Sequence, residues 1–443
     1  MDQPVNKDKI PSWSGEGIDG LVDPESGVQS ARVYKDEGVF KSEMRKVFGK
    51  CWLMLGHESQ IPEVGDFITS RMGNDSVLVT RHRDNSIKVM LNQCRHRGVK
   101  LERGDFGSSR TFTCSYHGWC YDTEGALVGM PHFNNHGECF KKEEWGLISV
   151  PRVETYQGII FGCWDEEGES LDDYLAESKW YLDAFFDRTE GGPEFIGLQK
   201  WRLRGNWKWG AEQHCSDFYH AQVSHVSYVD AFAPGTSINS LMPDGMPPEY
   251  GLQYASFDKG HGAGWMTFPD EASMHQPILT QTQEVIDYTR DVLYPTVTER
   301  LGETRGQKMA IFHMNIFPNF SMNRGQGYIR LWQPISADEA EVWSFVFVDK
   351  NMPQEIKDSY LTAKANIFSV AGGLEQDDSE NAQACQMGLT GTVAETTKLN
   401  IMMGEDEIDK GDFEGPGQIS TVYSEVALRA FYRRWKELMT AAD

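Results

Sequence analysis

Cys94-Arg-His96, then seventeen residues, then Cys114-Ser-Tyr-His117: this stretch decides how the rest of the chain is read. Two cysteines and two histidines come as a C-x-H pair and a C-x-x-H pair. Two thiolates and two imidazoles are a ligand set for one soft metal ion or for a pair of irons. Zinc fingers follow a C-x-x-C then H-x-x-x-H order, which is not the order here. Gly98 and Gly118 sit just beyond each pair, and Trp119 follows the second. They suit two tight loop tips meeting over a metal centre, where glycine allows close backbone approach.

The C-x-H and C-x-x-H order is that of a Rieske [2Fe–2S] centre. Cys94 and Cys114 would hold one iron, His96 and His117 the other. Neutral imidazoles in place of two thiolates make such a cluster less negative and raise its potential. A structural zinc ion on the same four residues is the competing reading.

The chain has 443 residues, too many for one core, so two domains or one inserted in another are expected. An apolar fraction of 40% and a charged fraction of 24% suit a globular soluble protein. A net charge of −24 disfavours nucleic acid and anionic membrane surfaces as partners. Met1 to Trp13 is polar and lacks an apolar signal core, and no apolar run is long enough to span a bilayer. A cytoplasmic location is expected. Eight cysteines without a signal segment then mean free thiols or metal ligands. The six outside the motif (Cys51, Cys120, Cys139, Cys163, Cys215, Cys385) lack ligand spacing and read mostly as small buried residues.

Along the chain, Arg32 to Gly49 has helical spacing of Val39, Phe40, Met44, Val47 and Phe48. Short strands follow: Asp66 to Arg71, then Val77–Thr80 and Ile87–Leu91 around Asp84-Asn85-Ser86, a hairpin signal. Gly158 to Trp164 closes this small β region, whose loops carry the Cys/His pairs. Ser170 reads as the cap of a helix to about Phe186, with Leu171, Tyr174, Leu175, Trp180 and Tyr181 inward. Leu198 to Arg204 alternates like a strand, and Asn206 caps a following helix. Residues 235–264, rich in Gly, Pro and Ser, read as a long loop. Gln281 to Arg300 is helical in pattern and interrupted by Pro295. Strands are expected at Ile311–Phe317, Tyr328–Pro334 and Glu341–Val348, the last two joined by Ser336-Ala-Asp. Helices are expected from Pro353 to Phe368 and from Glu425 to Met439. The second half is therefore α+β, an antiparallel sheet with helices.

A second constellation lies in Glu212-Gln-His-Cys-Ser-Asp217-Phe-Tyr-His220-Ala-Gln-Val-Ser-His225. His220 and His225 are five apart, about 140° on a straight helix, so they converge only if the helix ends or distorts between them. With one carboxylate they would make a 2-His-1-carboxylate iron site, which leaves positions open for dioxygen. The oxygen ligand is expected in Gly373-Leu-Glu-Gln-Asp377-Asp378-Ser-Glu-Asn381, at or after the end of the Pro353 helix, with Asp217 as the rival.

Both motifs in this order resemble the α (large, oxygenase) subunit of bacterial Rieske aromatic-ring-hydroxylating dioxygenases, the naphthalene and biphenyl types above all. The likeness runs over nearly the whole chain. It includes Cys114-Ser-Tyr-His117-Gly-Trp-Cys-Tyr-Asp122, Trp180-Tyr-Leu182, Asn206-Trp-Lys208, Ile316-Phe-Pro-Asn319, Gly372 to Asp378 and Phe431-Tyr-Arg-Arg-Trp435. The His220/His225 spacing is similar to that of the naphthalene type. The resemblance implies a small all-β Rieske domain (50–167), a catalytic mononuclear iron domain (168–443) with an antiparallel sheet covered by helices, and an N-terminal segment (1–49) packed on the latter. It implies Asp378 as the carboxylate ligand beside His220 and His225. It assigns Asp217 a different part: bridging His220 and the partner subunit's His117, so that electrons cross a subunit boundary of a trimer. It also implies a small β subunit in an α3β3 hexamer. NADH would supply electrons through a reductase and a ferredoxin, and both atoms of O₂ would enter an aromatic ring as a cis-dihydrodiol.

By the same resemblance Gln213, His214, Phe218, Ala221, His313, Phe368 and Leu374 line the substrate pocket. Gln213 stands where Asn is common, His214 where Phe is common, and Leu374 where Trp is common. A smaller Leu374 leaves room for a larger ring system, and His214 offers a hydrogen bond to a polar substituent. A polycyclic or biaryl hydrocarbon is the expected substrate, an aromatic carboxylate the alternative. Arg330 is the tempting carboxylate clamp but belongs to a strand motif common in the family, and is discounted. A Rieske monooxygenase or demethylase uses the same two iron sites, and a pure electron carrier would keep only the cluster.

Overall fold

The computed structural model describes residues 17–228, 251–255, 258–267, 282–324, 327–404, 413–421 and 423–442. The chain divides into two compact units, Phe48–Tyr174 and the segment up to Val47 together with Leu175 onward. The first unit is thus a few residues wider at each end than the expected 50–167.

Strands of the first unit are β1 (Leu53–His57), β2 (Asp66–Met72), β3 (Asp75–Arg81), β4 (Ile87–Leu91), β5 (Phe106–Ser108), β6 (Thr111–Thr113), β7 (Cys120–Asp122), β8 (Leu127–Gly129), β9 (Arg152–Tyr156) and β10 (Ile159–Cys163). They form three antiparallel sheets, ordered β4-β3-β2-β5, β8-β7-β6 and β9-β10-β1. The expected hairpin pairs Val79 with Val89 across a turn in which Asn85 takes φ +70°, a conformation that asparagine tolerates well. Val77, Leu78 and Val79 are all buried, as are Ile159, Ile160 and Phe161. Such unbroken apolar runs mark strands covered on both faces.

In the second unit the expected N-terminal helix is α1 (Glu37–Lys46), preceded by a single turn, Arg32–Lys35. Asp36 ends that turn and caps α1, its carboxylate accepting from the N–H groups of Gly38 and Val39. The helix expected from Ser170 breaks at Ala176 (φ +43°) into Leu171–Leu175 and Ser178–Phe186. Ser170 Oγ does accept the Asp173 N–H, at 3.1 Å. Of the five inward residues expected there, Trp180 is only half-buried.

One eight-stranded antiparallel sheet organises this unit. Its strands are β11 (Pro193–Leu203), β12 (Gly251–Ala255), β13 (Gly262–Thr267), β14 (Met309–Ile316), β15 (Phe320–Asn323), β16 (Tyr328–Ser336), β17 (Glu339–Asp349) and β18 (Gln418–Thr421), in the order β11-β17-β16-β15-β14-β13-β12-β18. The helices that matter for function are α2 (Lys208–Ser216), α3 (Ala221–Ser224), α4 (Gln354–Phe368), α5 (Gly373–Gly388) and α6 (Val426–Thr440). Pro295 follows a π-helical turn, Thr289–Leu293, that joins the helices Gln283–Tyr288 and Tyr294–Glu303 and so interrupts the regular helix as expected. Pro353 caps α4 from just outside.

One expectation needs correction. Within residues 235–264, positions 235–250 and 256–257 lie outside the described residues, but β12 and the start of β13 are strands rather than loop. The glycines there serve close packing. α2 lies across β13, β14 and β15, and a Cβ on Gly262 would strike Cys215 of α2, while one on Gly264 would strike the His313 ring. The acidic stretch follows the end of α4, as expected, and forms a helix of its own, α5. Gly372 and Gly373 make the break: a Cβ on the first would overlap the backbone of Ile367 and Phe368, and one on the second the ring of Tyr228.

α2 is buried almost all round, and its start is fixed by a carboxylate from α1. Glu43 accepts from Lys208 Nζ (2.7 Å), Trp207 Nε1 (3.0 Å) and Trp435 Nε1 of α6 (2.8 Å). Both charged side chains are fully buried. Removing one member leaves the other charge uncompensated in the interior, a loss of about 3–5 kcal/mol. Glu43→Ala should therefore lower the unfolding midpoint of the catalytic unit markedly in a denaturant titration, and an unchanged midpoint would contradict the role given to this pair.

Candidate metal centres

The first motif sits on two loops of the β unit. Cys94 and His96 lie between β4 and β5, and Cys114 and His117 lie at the tip of the β6–β7 hairpin. The loops are built alike. The Cys94 N–H donates to Val99 O (2.8 Å) and the Gly98 N–H to Cys94 O (2.9 Å); the Cys114 N–H donates to Trp119 O (2.7 Å) and the Gly118 N–H to Cys114 O (3.0 Å). Each turn closes through a glycine at positive φ, +76° and +71°, where L side chains are strained. Both thiols are buried with Phe112, Trp119, Tyr121 and Leu127, while both imidazoles are only half-buried at the rim. The rings of His96 and His117 lie 4.4 Å apart, and Trp119 stacks on His96 at 5.0 Å with planes 7° apart. The buried Nδ1 of His96 has no hydrogen-bond partner in the protein. A buried lone pair left open beside two sheltered thiols is what a metal cluster would satisfy. The Tyr121 hydroxyl lies 3.4 Å from Cys94 Sγ and accepts from the Arg95 N–H.

The two histidines of the second motif do converge, but not through the break expected between them: the helix ends before both, and one helical turn separates them. α2 stops at Ser216, Asp217 leaves helical geometry (ψ 84°), and His220 and His225 flank the single turn α3. Their rings come to 5.3 Å. From α5, Asp378 Oδ1 lies 3.3 Å from His220 Nε2 and 3.4 Å from His225 Nε2. Among the described residues this is the one set of three or more His, Cys, Asp or Glu whose ligand atoms lie within 4.8 Å of one another. Two imidazoles and one carboxylate converging by Nε2 and Oδ1 fit a mononuclear iron. The first motif's four residues do not crowd one point in this way, which suits an iron pair better than a single zinc ion.

The electrostatics follow from this crowding. Burial alone would raise the Asp378 carboxyl, but the hydrogen bond and charge of His220, with His225 and Arg330 nearby, hold it down to about 2. Burial would likewise lower His220, but the Asp217 and Asp378 carboxylates keep it well above the ordinary imidazole value. Asp217 does not join the trio. Its carbonyl oxygen accepts from His220 Nδ1 at 2.8 Å, and its carboxylate lies 3.1 Å from the same nitrogen.

The expected pocket residues divide into groups. Gln213 donates to Asp378 Oδ1 at 2.8 Å and lies 3.2 Å from His220 Nε2, so it faces the metal site. His214 is occupied within the protein: Nδ1 pairs with Gly210 O (2.9 Å) and Nε2 with the Tyr328 hydroxyl (3.0 Å). Burial pushes it down to about 3, so it stays neutral. The hydrogen bond it was expected to offer a substrate would require breaking one of these. Phe218 stacks near His313, whose Nδ1 donates to His214 O while its Nε2 is buried without a partner. Phe368 and Leu374 pack with Tyr328, Ile367 and Tyr228. Ala221 is half-buried on α3. Contacts not foreseen in the sequence are Asp377 Oδ2 at 3.1 Å from His225 Nδ1, and the fully buried Arg330 paired with Glu375. The adjacent Asp377-Asp378 pair carried a signal for the first; the second joins residues 45 apart and carried none.

Comparison with known proteins gives the following. A family model described as the ring hydroxylating alpha subunit, catalytic domain, matches residues 171–441, and one for the Rieske [2Fe–2S] domain matches residues 51–156. The chain is 42% identical over 446 residues to the biphenyl 2,3-dioxygenase subunit alpha of Rhodococcus jostii strain RHA1, covering 100% of this chain and 95% of that one. It is 42% identical over 437 residues to a benzene 1,2-dioxygenase subunit alpha of Pseudomonas putida, covering 98% and 95%. Among solved structures, a naphthalene 1,2-dioxygenase variant bound to phenanthrene superposes with a TM-score of 0.87 at 31% identity, covering 97% of this chain and 96% of that one.

The Tyr121 hydroxyl beside Cys94 gives a test of the first centre. A hydrogen bond to a cluster sulfur favours the reduced state. At about 0.5–1.5 kcal/mol for the bond, Tyr121→Phe should lower the cluster's potential by tens of millivolts. Redox titration followed by visible spectroscopy checks this, and an unmoved potential would show that the hydroxyl does not act on the cluster.

Proposed function

The chain belongs to the ring-hydroxylating dioxygenase α-subunit family, and from that premise we propose that it is the terminal oxygenase that cis-dihydroxylates a polycyclic or biaryl hydrocarbon. It is an oxidoreductase of two domain types, a Rieske [2Fe–2S] domain and a mononuclear-iron catalytic domain. The observation that carries the reading is the meeting of His220, His225 and Asp378 within 4.8 Å. In this reading those three hold the iron, and Cys94, His96, Cys114 and His117 hold the cluster. Iron held by these two histidines and one carboxylate would supply the activation of dioxygen.

The remaining steps belong to the protein. Tyr328, Ile367, Phe368 and Leu374 form a buried apolar cluster, which as one side of the substrate pocket would favour a hydrocarbon. The charge of Arg330 is matched by Glu375 in the interior, which disfavours a clamp for an aromatic carboxylate. The proteins named above act on biphenyl and benzene, and the superposed structure holds phenanthrene. Asp217, already fixed against His220, is given the part of linking that histidine to the partner subunit's His117 and so of carrying the electron path between subunits. Reductase and ferredoxin supply electrons from NADH, a small β subunit completes an α3β3 hexamer, and the location is cytoplasmic. Among the described residues no helix is long and apolar enough to cross a membrane.

Purified oxygenase with reductase, ferredoxin and ¹⁸O₂ should turn naphthalene or biphenyl into a diol carrying both labelled atoms, and do so faster than benzoate. One labelled atom, or preference for benzoate, would contradict the proposal. Asp217→Ala should retain both iron centres yet lose product formation by at least about tenfold; normal coupled turnover would refute the linking role. Leu374→Trp should depress turnover of a three-ring substrate more than that of benzene, read as the ratio of kcat/KM values.

A further inference from the structure

Acidic side chains clustered on a helix usually form a solvated face. On α5 they do not. Gln376 and Glu380 are exposed, whereas Glu375, Asp377 and Asp378 each have a separate partner. Glu375 pairs with the buried Arg330 of β16, which anchors the first turn of α5 on the sheet. Asp378 lies against both Nε2 atoms. Asp377, about 100° round the helix from Asp378, reaches the far side of one imidazole: its Oδ2 lies 3.1 Å from His225 Nδ1. Successive carboxylates thus straddle His225, one at each ring nitrogen. A further hydrogen bond, Asn381 Nδ2 to Ser224 Oγ at 2.9 Å, ties the next turn of α5 to α3.

We propose that Asp377 is a positioning residue for the mononuclear metal: it accepts the Nδ1–H of His225 and so holds the tautomer and ring plane that direct Nε2 at the iron. The inference rests on the ligand reading of the previous section. The physical need is plain. A histidine binds metal through an unprotonated nitrogen, so its proton must sit on the other one, and a carboxylate there keeps it in place and makes the ring a stronger donor. His220 has its counterpart already, since Asp217 O and Oδ1 both lie within 3.1 Å of its Nδ1. His225 sits at the break between α3 and the helical residues 226–228, and Asp377 is the side chain that reaches its Nδ1. Asp377 is 29% exposed, so it reaches His225 from the solvent side.

The test uses the holoenzyme and three variants, Asp377→Ala, Asp377→Asn and His225→Ala. Loss of mononuclear iron to a ferrous chelator is followed while the cluster's visible spectrum reports an intact Rieske centre. The EPR spectrum of the nitric oxide adduct reports the geometry of the remaining iron. Asp377→Ala should hold iron about 10–100-fold more weakly than the parent and give an altered adduct spectrum. Asp377→Asn, whose amide oxygen still accepts from Nδ1–H, should recover most of the affinity. If Asp377→Ala holds iron as tightly as the parent while His225→Ala loses it, the positioning role is overturned and the ligand reading survives. If Asp377→Asn is as weak as Asp377→Ala, the hydrogen-bond explanation is overturned. Iron retained by His225→Ala would remove the ligand reading, and this inference with it.

Discussion

A single carboxylate oxygen, Asp378 Oδ1, set between two imidazole nitrogens at 3.3 and 3.4 Å, is the contact on which the catalytic unit turns. It joins two pieces of chain more than 150 residues apart, and neither piece is in place for local reasons alone. α3 is one turn long and has little stability of its own. It is placed by α2, which is buried against the sheet and held at its start by Glu43. α5 is placed by the two-glycine break after α4 and by Glu375 on Arg330. The eight-stranded sheet therefore serves as the rigid base on which α2 and α5 bring their side chains together.

The cluster loops solve a similar problem by local means. Each turn is closed by the same pair of backbone hydrogen bonds around a glycine. The thiols lie inside a small aromatic core and the imidazoles at its rim. Shielded sulfur and accessible imidazole are a sensible division for a centre that must keep its sulfide from water yet pass electrons through an edge.

What could be read from the sequence divides along the same line. Cys94, His96, Cys114 and His117 were legible because both pairs and their glycines are contiguous. The hairpin β3–β4 and the strands β14, β16 and β17 were legible from apolar patterning. His220 and His225 were legible only as a condition, a helix that ends or distorts between them; the helix instead stops at Ser216, ahead of both, and the two flank α3. β12 and β13 were missed because their glycines, needed under Cys215 and His313, look like loop residues when their neighbours are unknown. The buried Glu43, the pairing of His214 with Tyr328, and Arg330 with Glu375 depend on partners distant in the chain, which no local pattern reveals.

The claim that matters most is that His220, His225 and Asp378 share one iron. Anomalous diffraction from crystals of the purified oxygenase, measured on both sides of the iron absorption edge, tests it without reference to turnover. The account predicts an iron peak within bonding distance of both Nε2 atoms and the Asp378 carboxylate, separate from the cluster peak. A peak bound by Asp217 instead, or no iron between the two histidines in fully loaded protein, would contradict it.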